Sequence, residues 1–521
     1  MISQAPDVVT AILAHAGERP TDTAVVDADG TVTTYGALGR GMRAVRHGLL
    51  EQGLAHGDTV LFAARTGAAG LTALLGVLAA GGVVVTAGSA VGPALLSARL
   101  RVAPPRWLFA DSALYLTSRF GPARRLARRR GLLLPDLRQP IGDPDVHHVY
   151  LGRWLPGVPR QARPLADLCR GPAPELPDTV VAAAEDPALV FFTSGTTQRP
   201  KGVVHSRGSV AATMAMITRE FPLGPGDVMH TDGFAQGLPA LAAGATFSVQ
   251  RPNVAPELFV RQLADRDVTH VYGVPVHLAR VMRAVPRWPD GIRFVLMGSA
   301  PAAPAILRQA LAAAPQADVC SVYAMTEAIP IAVVRAREKL AYLAAGNPGD
   351  LLGRPVDGVA ARVTSNGELV VAGPNLCDRY LGEEPLAEVH TGDLARIDEQ
   401  GRLVMSGRQK DMIIRGSFNI YPGLYEPAIA QLDGVLEAAL VGIPDPVTED
   451  ETVVLAVVPE PATDPATLKR RLRRALPGMM DAEAVPDSIV TVPELPRGGR
   501  SDKLDRARLR EQLTATPGGR T

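Results

Sequence analysis

Short apolar runs rich in β-branched residues alternate with helical stretches over most of the first 400 residues, and this alternation constrains the fold more than any other feature. Ala24–Val26, Thr59–Ala63, Val83–Val85, Ala188–Phe192, His270–Tyr272 and Phe294–Met297 read as strands. Helical stretches such as Tyr35–Gln52 and Pro256–Asp265 lie between several of them. The first opens with Thr34 as N-cap before an apolar three-to-four period of Leu38, Met42, Val45 and Leu49. Alternating elements of this kind predict an α/β fold with layered, largely parallel sheets.

A chain of 521 residues exceeds one ordinary core and predicts two to four domains. A second texture begins near residue 350. Val359–Val363, Glu368–Val371 and Arg402–Met405 read as antiparallel strands, with turns at Asn366-Gly367 and Gln400-Gly401. After Gly407-Arg408-Gln409-Lys410 the pattern becomes strand (412–415), helix (425–431), strand (436–443), strand (452–458), helix (465–475), strand (488–492). The expected division is a large N-terminal α/β domain over 1–407, a hinge at 408–410 and a small mobile α+β domain over 411–521. The tail 514–521 is expected to fray.

Composition excludes several function classes. With 46% hydrophobic and 21% charged residues the chain is no disordered polymer. The 54 basic and 53 acidic residues balance to +1, which gives no general attraction to nucleic acid. Cys169, Cys320 and Cys377 form no CxxC pair, which argues against a disulfide framework or a cysteine-rich zinc site and fits a reducing cytoplasm. Met1–Thr10 has no basic segment and carries Asp7, unlike a signal peptide. Gly67–Val85 is uncharged and just long enough to span a bilayer, but Gly81-Gly82 divides it into a helix and a strand of an α/β layer. Gly39-Arg40-Gly41-Met42-Arg43-Ala44 formally fits a dinucleotide fingerprint, yet it lies inside a helix instead of following a strand. Six arginines fall within 119–130, which reads as a solvated helix face or as a contact to phosphate or a peripheral membrane surface.

The sharpest local signal is a buried strand running into Thr193-Ser194-Gly195-Thr196-Thr197-Gln198-Arg199-Pro200-Lys201-Gly202. Such a loop offers free backbone N–H groups, hydroxyl donors and a cation, which is what a polyphosphate needs. Only five of the 54 basic residues are lysines (201, 339, 410, 469 and 503), so each survivor is a candidate for work that needs a compact ammonium. His205, just beyond the loop, shows no partner in the sequence and reads as structural or as a pocket wall.

The loop resembles the phosphate loop of the adenylate-forming superfamily of acyl-CoA synthetases, adenylation domains and luciferases, with Gln198 where glycine is usual. The resemblance covers nearly the whole chain. Tyr323-Ala324-Met325-Thr326-Glu327 is similar to the family's YGxTE, which implies adenine stacking by Tyr323, an α-phosphate contact by Thr326 and Mg²⁺ binding by Glu327. Gly298-Ser299-Ala300-Pro301 resembles the adenine-side loop. Thr391-Gly392-Asp393 resembles the motif whose Asp binds the ribose hydroxyls. Gly407-Arg408-Gln409-Lys410-Asp411 resembles the motif with Arg408 on ribose or phosphate and Lys410 as hinge. Arg415 through Glu426 resembles the segment that follows, with Ser417 replacing a glycine. Lys503 resembles the C-terminal catalytic lysine, in a loop one residue longer than usual and with Asp502 where glycine is common.

The resemblance implies an enzyme that activates a small carboxylic acid with ATP and Mg²⁺, with Lys503, Thr326 and Lys201 as catalytic residues, then passes the acyl group to coenzyme A or a carrier thiol. Physical chemistry agrees: a carboxylate attacking a phosphate needs positioned cations to offset repulsion between anions. Phe234 stands at the family's histidine gate, and Val274, Ala300 and Ala328 are expected acyl-pocket walls, which suits an apolar fatty or aryl acid. Arginines of 119–130 or near 470–474 are candidates for holding coenzyme A phosphates. Two alternatives stand beside this reading. One is a β-lactone synthetase that cyclises a 3-hydroxy acyl-adenylate without thiol. The other is a non-catalytic relative that binds ATP.

Overall fold

The computed structural model describes residues 5–86, 93–129, 137–138, 140, 143, 145–170, 182–192, 201–251, 254–408, 411–415, 418–444, 451–481, 484–498 and 503–515. Two large sheets dominate. In the 13-stranded sheet six strands lie parallel in the order Thr23–Val26, Thr246–Val249, Val228–Thr231, His270–Gly273, Phe294–Met297 and Asp318–Met325. Antiparallel strands extend it from Ala328–Arg335 to Ala360–Val363. In the 8-stranded sheet Pro187–Phe192, Val83–Thr86, Thr59–Ala63, Trp107–Asp111, His147–Leu151 and Arg163–Pro164 are parallel neighbours. Gly202–Ser206 and Arg379–Tyr380 close its far edge antiparallel.

Local chemistry explains the elements. Thr34 caps helix Tyr35–Glu51 by accepting from Ala37 N–H at 3.2 Å. The uncharged stretch 67–85 forms helix Ala68–Ala79 and strand Val83–Thr86, both largely buried. Among the described residues no helix is long and apolar enough to cross a membrane. Glycines within these two helices permit their close approach. A Cβ on Gly41 would lie 2.7 Å from Thr72 Cγ2, and one on Gly76 would lie 2.5 Å from Val45 Cγ1. Gly41 of the formal fingerprint is therefore a packing residue.

Beyond Arg408 lie small sheets. Val435–Pro444, Glu451–Pro459 and Ser488–Thr491 form a three-stranded sheet carrying helix Pro465–Ala475. Helix Pro422–Ile429 begins three residues before the expected start, because Pro422 occupies its first turn. Its Glu426 accepts from Arg506 at 2.8 and 2.7 Å and from Leu440 N–H at 2.7 Å, tying three elements together. Helix Arg506–Ala515 incorporates Thr514, expected in a frayed tail, because Leu509 and Leu513 are buried against the sheet.

Candidate functional site

Parallel strands of both sheets end on one kind of edge, and loops after such carboxyl ends are where α/β folds hold ligands. The expected phosphate-loop residues Thr193, Ser194, Gly195, Thr196 and Thr197 lie outside the described residues, as does Lys410. The strands that frame the loop are described. Pro187–Phe192 runs in and Gly202–Ser206 runs out, antiparallel, with Phe192 opposite Gly202. A Cβ on Gly202 would lie 2.5 Å from Leu381 Cδ1 and 3.3 Å from Phe192 Cε1, so the exit of the loop is tight.

Lys201, exposed at that exit, places its Nζ 4.6 Å from the centroid of the Tyr380 ring. The Tyr380 hydroxyl donates to Glu327 Oε1 at 3.1 Å. Burial, then the Glu327 charge, holds the Tyr380 phenol above its ordinary pKa, so it remains a donor. Glu327 itself is buried, and its carbonyl accepts from Cys377 N–H at 2.7 Å. The loop lysine and the expected metal carboxylate are thus brought together through Tyr380, a residue that no motif in the sequence marks. Its signal was faint: a two-residue strand, Arg379–Tyr380, paired to Val203–Val204.

His205 does have partners. Its Nε2 lies 2.8 Å from Thr326 O and its Nδ1 3.2 Å from Ser209 Oγ. A carbonyl only accepts, so the proton sits on Nε2 and fixes the neutral tautomer. Burial lowers its pKa, partly countered by that hydrogen bond. His205 is a brace for the Thr326–Glu327 turn.

A second group forms on the next part of the same strand. Tyr323 donates to Asp393 Oδ2 at 2.6 Å, and Arg408 Nε lies 3.0 Å from Asp393 Oδ1. Thr391 Oγ1 accepts from Asp393 N–H at 3.1 Å while donating to Leu369 O at 2.8 Å. Burial and the neighbouring carboxylate push the Tyr323 phenol well above its ordinary pKa. Asp393 is held on both oxygens, with acceptor capacity left for a pair of hydroxyls.

Gly298, Ser299 and Ala300 follow strand Phe294–Met297, which neighbours Asp318–Met325, and Val274 follows the next strand along. A Cβ on Gly298 would lie 2.6 Å from Tyr272 Oη, whose hydroxyl is 3.1 Å from Ser299 Oγ. Two expected pocket walls also pack against neighbours. Ala328 is wholly buried in an apolar cluster with Val203, Ile331 and Leu376. Phe234 begins helix Phe234–Ala242 and packs edge-on against Phe62 at 5.8 Å. Lys503 is exposed on the strand pair Arg497–Gly498 and Lys503–Leu504.

The residues present suit a magnesium ion bound together with phosphates. Among the described residues no group of three His, Cys, Asp or Glu side chains is arranged to hold a metal. Glu327 would supply one carboxylate, which matches an ion that takes one or two protein carboxylates and fills its shell with substrate phosphates and water.

The profile of the family described as AMP-binding enzyme matches residues 12–381, and that of the AMP-binding enzyme C-terminal domain matches 425–503. The chain is 29% identical to sulfoacetate–CoA ligase of Cupriavidus necator, over 96% of this chain and 97% of that one. It is 30% identical to feruloyl-CoA synthase of an Amycolatopsis species, over 74% of this chain and 84% of that one. Among solved structures, ATP-bound MatB from Rhodopseudomonas palustris superposes with a TM-score of 0.77 at 25% identity, over 97% and 99% of the two chains. The amide bond synthetase McbA from Marinactinospora thermotolerans shares the fold, with a TM-score of 0.80 at 22% identity over 97% and 99%.

Proposed function

Because this chain belongs to the AMP-binding enzyme family and is an AMP-forming ligase, we propose that it joins a small carboxylic acid to ATP as an acyl-adenylate and transfers the acyl group to coenzyme A. The observation that carries the reading is the convergence of Lys201, Tyr380 and Glu327 where the phosphate-loop strands meet the turn after Asp318–Met325. A cation on the ring and a carboxylate on the hydroxyl of one tyrosine suit a triphosphate and its ion: the ammonium faces phosphate oxygens, and Glu327 would hold Mg²⁺, which neutralises further charge when bound. Asp393, set by Tyr323 and Arg408, takes the ribose hydroxyls. Thr326 contacts the α-phosphate, with its backbone braced by His205.

Attack by a carboxylate on the α-phosphate builds charge on the phosphoryl and pyrophosphate oxygens, and Lys503 supplies the second cation there. The unit over 411–521 turns about 408–410 to bring Lys503 in and later to admit the thiol. Val274 and Ala300 favour an apolar fatty or aryl acid, in keeping with the likeness to a feruloyl-CoA synthase. ATP–pyrophosphate exchange across a panel of acids tests the first step. Exchange that depends on an apolar acid is expected, and ATP binding without exchange for any acid would point instead to a non-catalytic binder. AMP release from the same acid should then require coenzyme A. A dehydrated product from a 3-hydroxy acid without thiol would replace the ligase reading by lactone formation.

A further inference from the structure

The surface built by helices Ser112–Arg119 and Gly121–Arg129 and the loop 152–157 takes no part in the site described above. Phe120 and Trp154 are the only exposed aromatic side chains among the described residues, at 45% and 60%, and both lie here. Leu126 joins them at 52% exposed. Single exposed apolar residues are ordinary; two exposed aromatics and an exposed leucine on one surface, with no other exposed aromatic among the described residues, are not.

Charge is equally uneven. Residues 112–129 and 143–160 carry seven arginines against two acidic residues, Asp143 and Asp145, in a chain whose balance is +1. Asp111, at the border, is engaged by Arg65 at 3.1 Å. Helix Gly121–Arg129 buries Ala127 and shows Arg125 and Leu126 outward. The neighbouring loop is fixed against helix Ser112–Arg119: Gly157 sits at φ 106° where a Cβ would lie 2.8 Å from Tyr115 O. Trp154 is therefore presented by a clamped loop.

We propose that this surface docks the enzyme on an anionic phospholipid bilayer. Arginines meet the headgroup phosphates while Phe120, Leu126 and Trp154 enter the interface, where an indole with one apolar and one polar side is at home. A nucleotide phosphate would use the arginines and leave these apolar groups in water. Bases stacking on the aromatics would leave Leu126 without a role.

The test is co-sedimentation of the full chain with vesicles of phosphatidylcholine alone and of phosphatidylcholine mixed with phosphatidylglycerol, with tryptophan emission read in parallel. Trp107 and Trp288 are each 2% exposed, so an emission shift on vesicles reports Trp154. Binding to the anionic vesicles only, weakened by salt and accompanied by a blue shift, is expected. Arg125→Ala and Arg153→Ala should each lower partitioning about fivefold. Trp154→Phe should abolish the shift and keep part of the binding. Unfolding midpoints and ATP–pyrophosphate exchange should match the unsubstituted protein, which keeps this result separate from the catalytic reading. Absence of vesicle binding, equal binding to neutral vesicles, preferential capture of a single-stranded oligonucleotide, self-association lost with Trp154→Phe, or a raised KM for coenzyme A in the arginine variants would each overturn the proposal.

Discussion

Asp393 shows how much of a binding site can rest on one side chain's neighbours. Tyr323 and Arg408 fix its two oxygens at 2.6 and 3.0 Å, so in the proposed site the carboxylate is oriented before a ribose arrives. Tyr323→Phe removes one of these restraints. A hydrogen bond to a charged group is worth about 1.5–3 kcal/mol, so the KM for ATP should rise at least tenfold while kcat changes little. An unchanged KM in steady-state kinetics would place the ribose elsewhere. Lys503 tests the chemistry itself. Lys503→Ala should cut adenylate formation by two to three orders of magnitude, since one positioned charge is worth about 3–4 kcal/mol, and should spare acyl transfer from supplied acyl-adenylate. Arg500→Ala is the control, because the loop before Lys503 is one residue longer than the family pattern. If it is the more damaging change, the catalytic cation is Arg500.

Among the elements, helix Pro422–Ile429 sits against strand Leu403–Arg408 with no room to spare. A Cβ on Gly423 would lie 2.7 Å from Ser406 O and 3.0 Å from Gly407 Cα, both backbone atoms that yield little. Gly423→Ala should loosen this seating at a cost of about 1–3 kcal/mol, typical of overpacking. The C-terminal elements should keep their own fold, because the Glu426–Arg506 pairing is untouched. Pyrophosphate exchange should therefore change while circular dichroism does not; unaltered exchange would show that this contact plays no part in the first step. Elements with a strong period were legible in the sequence, as with Pro256–Asp265 and Phe294–Met297, whose ends fall where the pattern put them. Helix Arg506–Ala515 was not, since it buries only Leu509 and Leu513, too few apolar positions to register a period. Strand Phe418–Ile420 has three residues and left no alternation to read. The motifs announced most of the candidate site, but Tyr380 and the His205 brace depend on a pairing between segments far apart in sequence, which no local pattern encodes.

At the scale of the whole molecule, four buried histidines set how it meets acid. Burial lowers the pKa of His148 and His270 to about 4 and of His230 to about 3, and it lowers that of His205 as well. Each is favoured neutral in the folded state, so its contribution is complete above the unfolded value near 6.5. That contribution is lost as pH falls from there towards the folded values, because the unfolded chain then binds more protons. On unfolding at pH 5 these groups should take up about three to four protons from the solvent, read by calorimetry in buffers of different ionisation enthalpy. An uptake below about one would mean that they are not neutral in the fold. In the proposed cycle the unit beyond residue 410 presents Lys503 for adenylation and then turns to let the thiol reach the acyl carbonyl. A hinge absorbs such a turn as a backbone change at one or two residues, with the packed bodies on either side intact. Lys410→Pro fixes φ near −65° and removes an N–H without touching Tyr323, Asp393 or Lys503. If the turn occurs there, the substitution holds the chain in whichever orientation that φ permits, and one half-reaction must suffer more than the other. The expected result, from pyrophosphate exchange and from single-turnover transfer of supplied acyl-adenylate to coenzyme A, is that adenylation is spared relative to transfer. Equal retention of both would show that the two parts work without rotating about residue 410.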